Sequence, residues 1–172
     1  MMQKIRSFGI GLLRAYDFLS DGCAQLAAWL LLGMTLIITY EVIVRYCFNR
    51  PTIWTVDFTD YIMLYTTFFA SAWLLKHEGH VRLTLVAEHL SPRSQKVLEV
   101  ITSFISALVC AFIIWYGVRD CWDAVENSIT LPRPIPVPKY VVLVVIPFGC
   151  FLLLVQFIRN AFKILRSIKE TA

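Results

Sequence analysis

Four long, nearly uncharged apolar runs dominate this chain, and they leave it very few folds. Crossing the hydrocarbon core of a bilayer takes roughly 20 helical residues at about 1.5 Å each. The runs cover 22–46, 58–75, 97–118 and 140–158. The first is free of charge through Tyr40, the third from Val100 onward, and the fourth throughout. The second is the weakest, because its uncharged part covers only 61–75. It reads either as a span lengthened by Phe58 and the outer turn or as a re-entrant segment. Charged residues make up only 16% of the chain, against about 25% in soluble domains. The expected fold is an all-α integral membrane protein, 1–172 forming a single membrane domain. It has four transmembrane helices plus amphipathic interfacial helices on the cytoplasmic side.

Orientation follows from how the cations divide. The arm over 1–21, the connection between the second and third spans, and the tail over 159–172 together hold eleven Lys and Arg. The other two connections hold five: Arg45, Arg50, Arg119, Arg133 and Lys139. The richer side is cytoplasmic, which places both termini inside. The basic excess then serves orientation and contact with anionic membrane lipid, not nucleic acid.

Smaller features fill in the layout. In the arm, Ile5, Phe8, Leu12, Tyr16 and Leu19 recur at helical spacing between Lys4, Arg6, Arg14 and Asp17. This predicts an amphipathic helix on the inner leaflet; a frayed terminus is the other reading. The apolar stretch 8–13 is short, is broken by Arg14 and has no small-residue cleavage site after it, so no cleavable signal peptide is expected. The segment 77–92 reads as lying in the inner interface, stopped by Ser91 and Pro92. Pro132, Pro134, Pro136 and Pro138 predict a stiff, non-helical strap outside, and Pro147 and Gly149 a kink in the last span.

Glu41 and Arg45 stand four apart, acid first, the favourable order for a helical ion pair. Asp57 and Asp60 open the second span, where the helix dipole favours negative charge, and Thr55 is placed to cap it. With Arg50 these groups form either a network closing the first hairpin or a cation or proton site. His77, His80 and His89 all fall in or at the edge of the inner connection. The first two have the spacing of paired ligands but no accompanying Cys, so no metal site is assigned. None of the spans holds the axial histidines that a haem-bearing membrane anchor needs. The five cysteines show no CxxC spacing; they read as small packing residues, with a Cys47–Cys121 disulfide as the alternative. No nucleophile, P-loop or dinucleotide motif is present, so no enzyme is expected and no catalytic or cofactor residue is assigned. Ser103, Ala107 and Ala111 set a small-residue packing face on the third span. Four helices can spend such faces on one another or on a partner. With no polar pore lining, a partner is the reading favoured here.

The hairpin motifs carry a family resemblance. Arg45-Tyr46-Cys47-Phe48-Asn49-Arg50-Pro51, then Trp54, Asp57 and Tyr61, then Gly79-His80-Val81-Arg82, resemble the small permease subunit of tripartite ATP-independent periplasmic (TRAP) transporters. Pro138 and the Pro147-Phe148-Gly149 run match the family's proline-led entry into the last helix and its internal Pro-x-Gly. The chain departs from the pattern at Asp57, where Glu is usual, and at Asp60, where a base is common. It also departs at Ala70 or Ser71, where glycine is usual, and at Thr84, where an acid is usual. The resemblance implies a multi-pass protein of the bacterial inner membrane working beside a large multi-span permease subunit and a periplasmic solute-binding protein. The cargo it implies is an organic anion, typically a carboxylate, taken up by symport. The coupling ion, sodium as the resemblance has it, would be held by the large subunit rather than here. Arg45, Trp54, Asp57, Tyr61, His80, Arg82, Pro147 and Gly149 then have assembly roles. A redox-complex membrane anchor and a stand-alone four-helix structural protein are the alternatives.

Overall fold

A computed structural model describes residues 2–50, 52–77, 92–133 and 136–170. Those residues form helices α1 (Met2–Phe48), α2 (Trp54–His77), α3 (Pro92–Glu126), α4 (Lys139–Leu143) and α5 (Val145–Glu170). The chain divides into two compact units, Met1–Trp73 and Leu74–Ala172. Among the described residues three helical stretches are long and apolar enough to cross a membrane: Leu13–Phe48, Ser94–Glu126 and Lys139–Ile164. The helix α2 has the length, about 36 Å at 1.5 Å per residue, but is not among them. Asp57, Asp60 and its run of Thr and Tyr dilute its apolar character.

In the first unit, the arm expected over 1–21 and the span expected over 22–46 are one continuous helix of 47 residues. At about 70 Å it is more than twice the thickness of a hydrocarbon core. Along it Tyr16, Ser20, Cys23, Ala27, Leu30, Met34, Ile37, Glu41 and Val44 are buried or half-buried while their neighbours are mostly exposed. The alternating steps of three and four are the spacing of a helix seam that keeps one line of side chains against a partner. The helix ends where Asn49 turns left-handed, at φ 52°. Asparagine tolerates that conformation better than any residue but glycine, which suits it to terminate a helix.

In the second unit α3 packs along α5. Cys110 and Ala124 are buried on α3, with Ser103, Ser106, Ala107, Ile114, Gly117 and Cys121 half-buried on the same line. Ala111 is exposed, so the line passes through Cys110 instead. Facing it, α5 buries Val145, Pro147, Gly149, Cys150, Leu152, Gln156 and Ile164. Where α3 ends, Ile129 N–H donates to Ala124 O at 3.1 Å and Ser128 N–H to Val125 O at 3.2 Å, with Ser128 left-handed at φ 47°. This pair of bonds, closed around a left-handed residue, satisfies carbonyls that the helix end would otherwise orphan. The proline-rich stretch then doubles back. Thr130 bridges Pro138, Leu131 N–H donates to Val137 O at 3.1 Å, and Lys139 N–H donates to Ile129 O at 2.9 Å.

The last helix is interrupted at Val144, between α4 and α5. Proline has no N–H to offer the carbonyl four residues before it, and its ring crowds that carbonyl. For Pro147 that residue is Leu143, where α4 stops.

Candidate functional site

A buried carboxylate, Glu41, and its ion-pair partner Arg45 stand at the turn between α1 and α2. Glu41 is only 6% exposed, and its carboxylate accepts from three residues. Arg45 donates to Oε1 through Nη2 at 2.8 Å and through Nε at 3.2 Å. The Thr52 amide reaches Oε1 at 3.4 Å and Oε2 at 3.3 Å, and Thr55 Oγ1 donates to Oε2 at 3.2 Å. The Thr52 and Thr55 hydroxyls are bonded closely to each other. A carboxylate near the end of a membrane helix is expensive unless paired and hydrogen-bonded, and here it is both. The same bonds tie α1 to the start of α2, so charge-assisted hydrogen bonds hold the turn.

The sequence marks half of this arrangement. Glu41 and Arg45 pair as their spacing predicts. Thr55 does not cap α2: it lies inside the helix, and its hydroxyl turns to Glu41. Thr52 carries no motif, and its part emerges only once the turn is folded. Arg50 is exposed at the end of the turn. Among the other expected residues, Asp57 is buried in the first turn of α2. Tyr61 is half-buried one turn further on. Trp54 is 38% exposed and stacks edge-on against Phe58, ring centroids 5.8 Å apart. His80 and Arg82 lie outside the described residues.

A second junction lies between α3 and α5. A β-carbon added to Gly117 would meet Pro147 Cδ at 3.3 Å and its Cβ at 3.5 Å. The proline ring therefore rests on bare helix backbone, and glycine is the residue that lets it come so close. Gly149 is buried in the same turn of α5. These are the positions of the Pro-x-Gly run, so the run both breaks the helix and seats it on α3. Ser103 and Ala107 are half-buried on the α3 line below. Among the described residues no cluster of three or more His, Cys, Asp or Glu could hold a metal ion. The five cysteines are free.

Hydroxyls on exposed faces bond within their own helices, as a lipid surrounding demands. Thr35 donates to Leu31 O at 2.9 Å, Thr39 to Thr35 O at 2.8 Å, Thr67 to Met63 O at 2.8 Å and Thr102 to Leu98 O at 2.9 Å. Within the most apolar stretches of the three candidate spans only 11%, 6% and 33% of residues are buried. Phe104, Phe112, Trp115 and Trp122 stand out from α3, each more than half exposed. Among the described residues, the faces of these spans are thus mostly exposed apolar surface.

The family described as tripartite ATP-independent periplasmic transporters, DctQ component, matches residues 34–167. The ectoine TRAP transporter small permease protein TeaB of Halomonas elongata is 24% identical over 141 residues, covering 80% of this chain and 72% of that protein. A putative TRAP transporter small permease protein of Haemophilus influenzae is 25% identical over 97 residues, 56% of this chain and 60% of that one. The matched region begins within α1, takes in the Glu41 turn and the Gly117–Pro147 junction, and ends within α5. This chain belongs to the small permease (DctQ) family of TRAP transporters and is a multi-pass membrane protein.

Proposed function

We propose that this chain is the scaffold of its transporter: it braces a large multi-span permease subunit in the bacterial inner membrane and carries no cargo itself. The observation that carries this reading is the family match over residues 34–167 in a chain whose spans leave most of their apolar surface uncovered. Association in lipid is driven by close packing and interhelical hydrogen bonds rather than by apolar burial. A chain with rigid junctions at Glu41 and at Gly117–Pro147 offers preformed faces for such packing. On this reading α2 is the fourth crossing, both termini are cytoplasmic, and a periplasmic solute-binding protein delivers the cargo. Arg45, Trp54, Asp57, Tyr61, His80, Arg82, Pro147 and Gly149 shape the assembly, and the coupling ion, sodium, is held by the large subunit.

The proposed cargo is a small organic anion, most simply a carboxylate, drawn in by an ion gradient. The Halomonas elongata relative is named for ectoine, so an uptake assay should carry both a carboxylate and ectoine. The deciding experiment is co-purification of the chain with its large permease, followed by sodium-driven uptake in vesicles with and without it. Stable association and loss of most uptake on omission are expected. Full uptake by the large subunit alone would overturn a scaffold role.

A further inference from the structure

We infer that the α3–α5 pair encloses an internal water held by Gln156. The side chain of Gln156 is 4% exposed in the inner half of a membrane-crossing helix. Its Nε2 donates to Asn160 Oδ1 at 3.4 Å, at the long limit of a hydrogen bond. Its Oε1 is enclosed and accepts no hydrogen bond from the described residues. Turning the carboxamide over exchanges oxygen and nitrogen but still leaves one of them facing the same enclosed spot. The bond to Asn160 therefore satisfies one end of Gln156 in either orientation, never both.

Water fits the other end for three reasons. A buried polar atom is normally hydrogen-bonded, and where protein groups do not reach it, an ordered water usually does. The contact of Gly117 with Pro147 sets the register of the two antiparallel helices. Descending from it at about 1.5 Å per residue, Gln156 falls level with Ser106, and Asn160 with Ser103, to within about 3 Å along the axis. Ser103 and Ser106 are half-buried on the line of α3 that faces α5, so they supply the second and third polar partners a trapped water requires. Finally, Arg159 and Lys163 follow on α5 within two turns, which marks the inner headgroup level and gives water a short path in. By contrast, Cys110 on α3 and Cys150 on α5 are buried nearer the middle of the pair.

The test uses the full chain in lipid bilayers, with glutamine side chains labelled with nitrogen-15 and water as the probe. The chain has four glutamines, Gln3, Gln25, Gln95 and Gln156, and the Gln156 signal is identified by sequential correlation in the unmodified protein. Magnetisation should pass from water to the Gln156 carboxamide protons several-fold faster than to the backbone amides of Cys150 and Leu152, which are buried on the same helix. Transfer as slow as to those amides would overturn the inference. Ser106→Ala should slow the transfer to Gln156 without altering the Leu152 amide, and an unchanged rate would remove the shared site. Gln156→Leu gives an independent readout. It removes a satisfied carboxamide if water is bound, so the unfolding temperature should fall. A rise would mean that the oxygen had been buried unsatisfied.

Discussion

Glu41 and Gln156 are both buried polar side chains on membrane-crossing helices, yet the protein treats them differently. Around Glu41 three residues converge on the carboxylate, and two of them, Thr52 and Thr55, come from beyond the chain reversal. Removing the acceptor should therefore loosen the turn as well as the Arg45 pair. Glu41→Ala is expected to lower the unfolding temperature of the solubilised chain more than Glu41→Gln, because glutamine still offers one oxygen to Thr52 and Thr55. In a chain whose Cys23, Cys47 and Cys121 are replaced, a thiol-reactive dye reporting on the buried Cys110 and Cys150 would follow unfolding of the second unit, and tryptophan fluorescence would follow both. Equal losses in the two variants would contradict the turn's dependence on those threonines. In the second unit Leu152 is fully buried, and Leu152→Ala should cost about 2–5 kcal/mol by leaving a cavity in the α3–α5 contact, measured by the same melts. At this scale the sequence shows what a single helix can show. The Glu41–Arg45 pair is readable because both partners share one helix at a fixed spacing. Thr52 is not, because its place depends on the path of the turn, and Gln156 is not, because its environment belongs to a neighbouring helix.

Among the helices, the best-read feature is the interruption of the last one. A kink follows from Pro147 alone, and its site, at Val144 rather than at the proline, follows from the carbonyl four residues back. What the ring rests on could not be read, since Gly117 sits thirty residues away and only the register of α3 against α5 brings them together. The small-residue face shows the same limit. Ser103 and Ala107 lie on the packed line, whereas Ala111 is exposed and Cys110 takes its place, because alternating steps of three and four follow a helix seam better than a strict step of four. Two substitutions test this junction. Gly117→Leu puts a side chain where Pro147 now rests and should destabilise the pair by about 1–3 kcal/mol through overpacking. Pro147→Ala restores an amide that can reach Leu143 O and should join α4 to α5. Slow hydrogen exchange at the new amide and at Val144, compared with the parent protein, would register the joined helix; fast exchange at position 147 would mean that the break has another cause.

For the whole molecule, the number of crossings decides the rest of the topology. Among the described residues three stretches qualify as spans on length and composition, and α2 is long enough but weakened by Asp57, Asp60 and its hydroxyls. With three crossings the termini would lie on opposite sides of the membrane; with four they share one side. The eleven-to-five division of Lys and Arg supports four, because without a crossing by α2 the basic connection after it would fall on the same side as Arg45 and Arg50. Burial of Asp57 and hydrogen bonding of Thr67 and Ser71 to carbonyls of their own helix reduce the polar surface that α2 would show to lipid or to a partner. Single-cysteine chains read this directly. With the other four cysteines replaced, Cys47, which is exposed at the end of α1, should react with a membrane-impermeant maleimide in intact cells whose outer membrane has been permeabilised. Cysteines introduced as Gln3→Cys and Thr171→Cys in separate chains should react only after the inner membrane is opened. If one terminus reacts early and the other late, α2 does not cross, and the positive-side argument fails together with the four-span scaffold built on it.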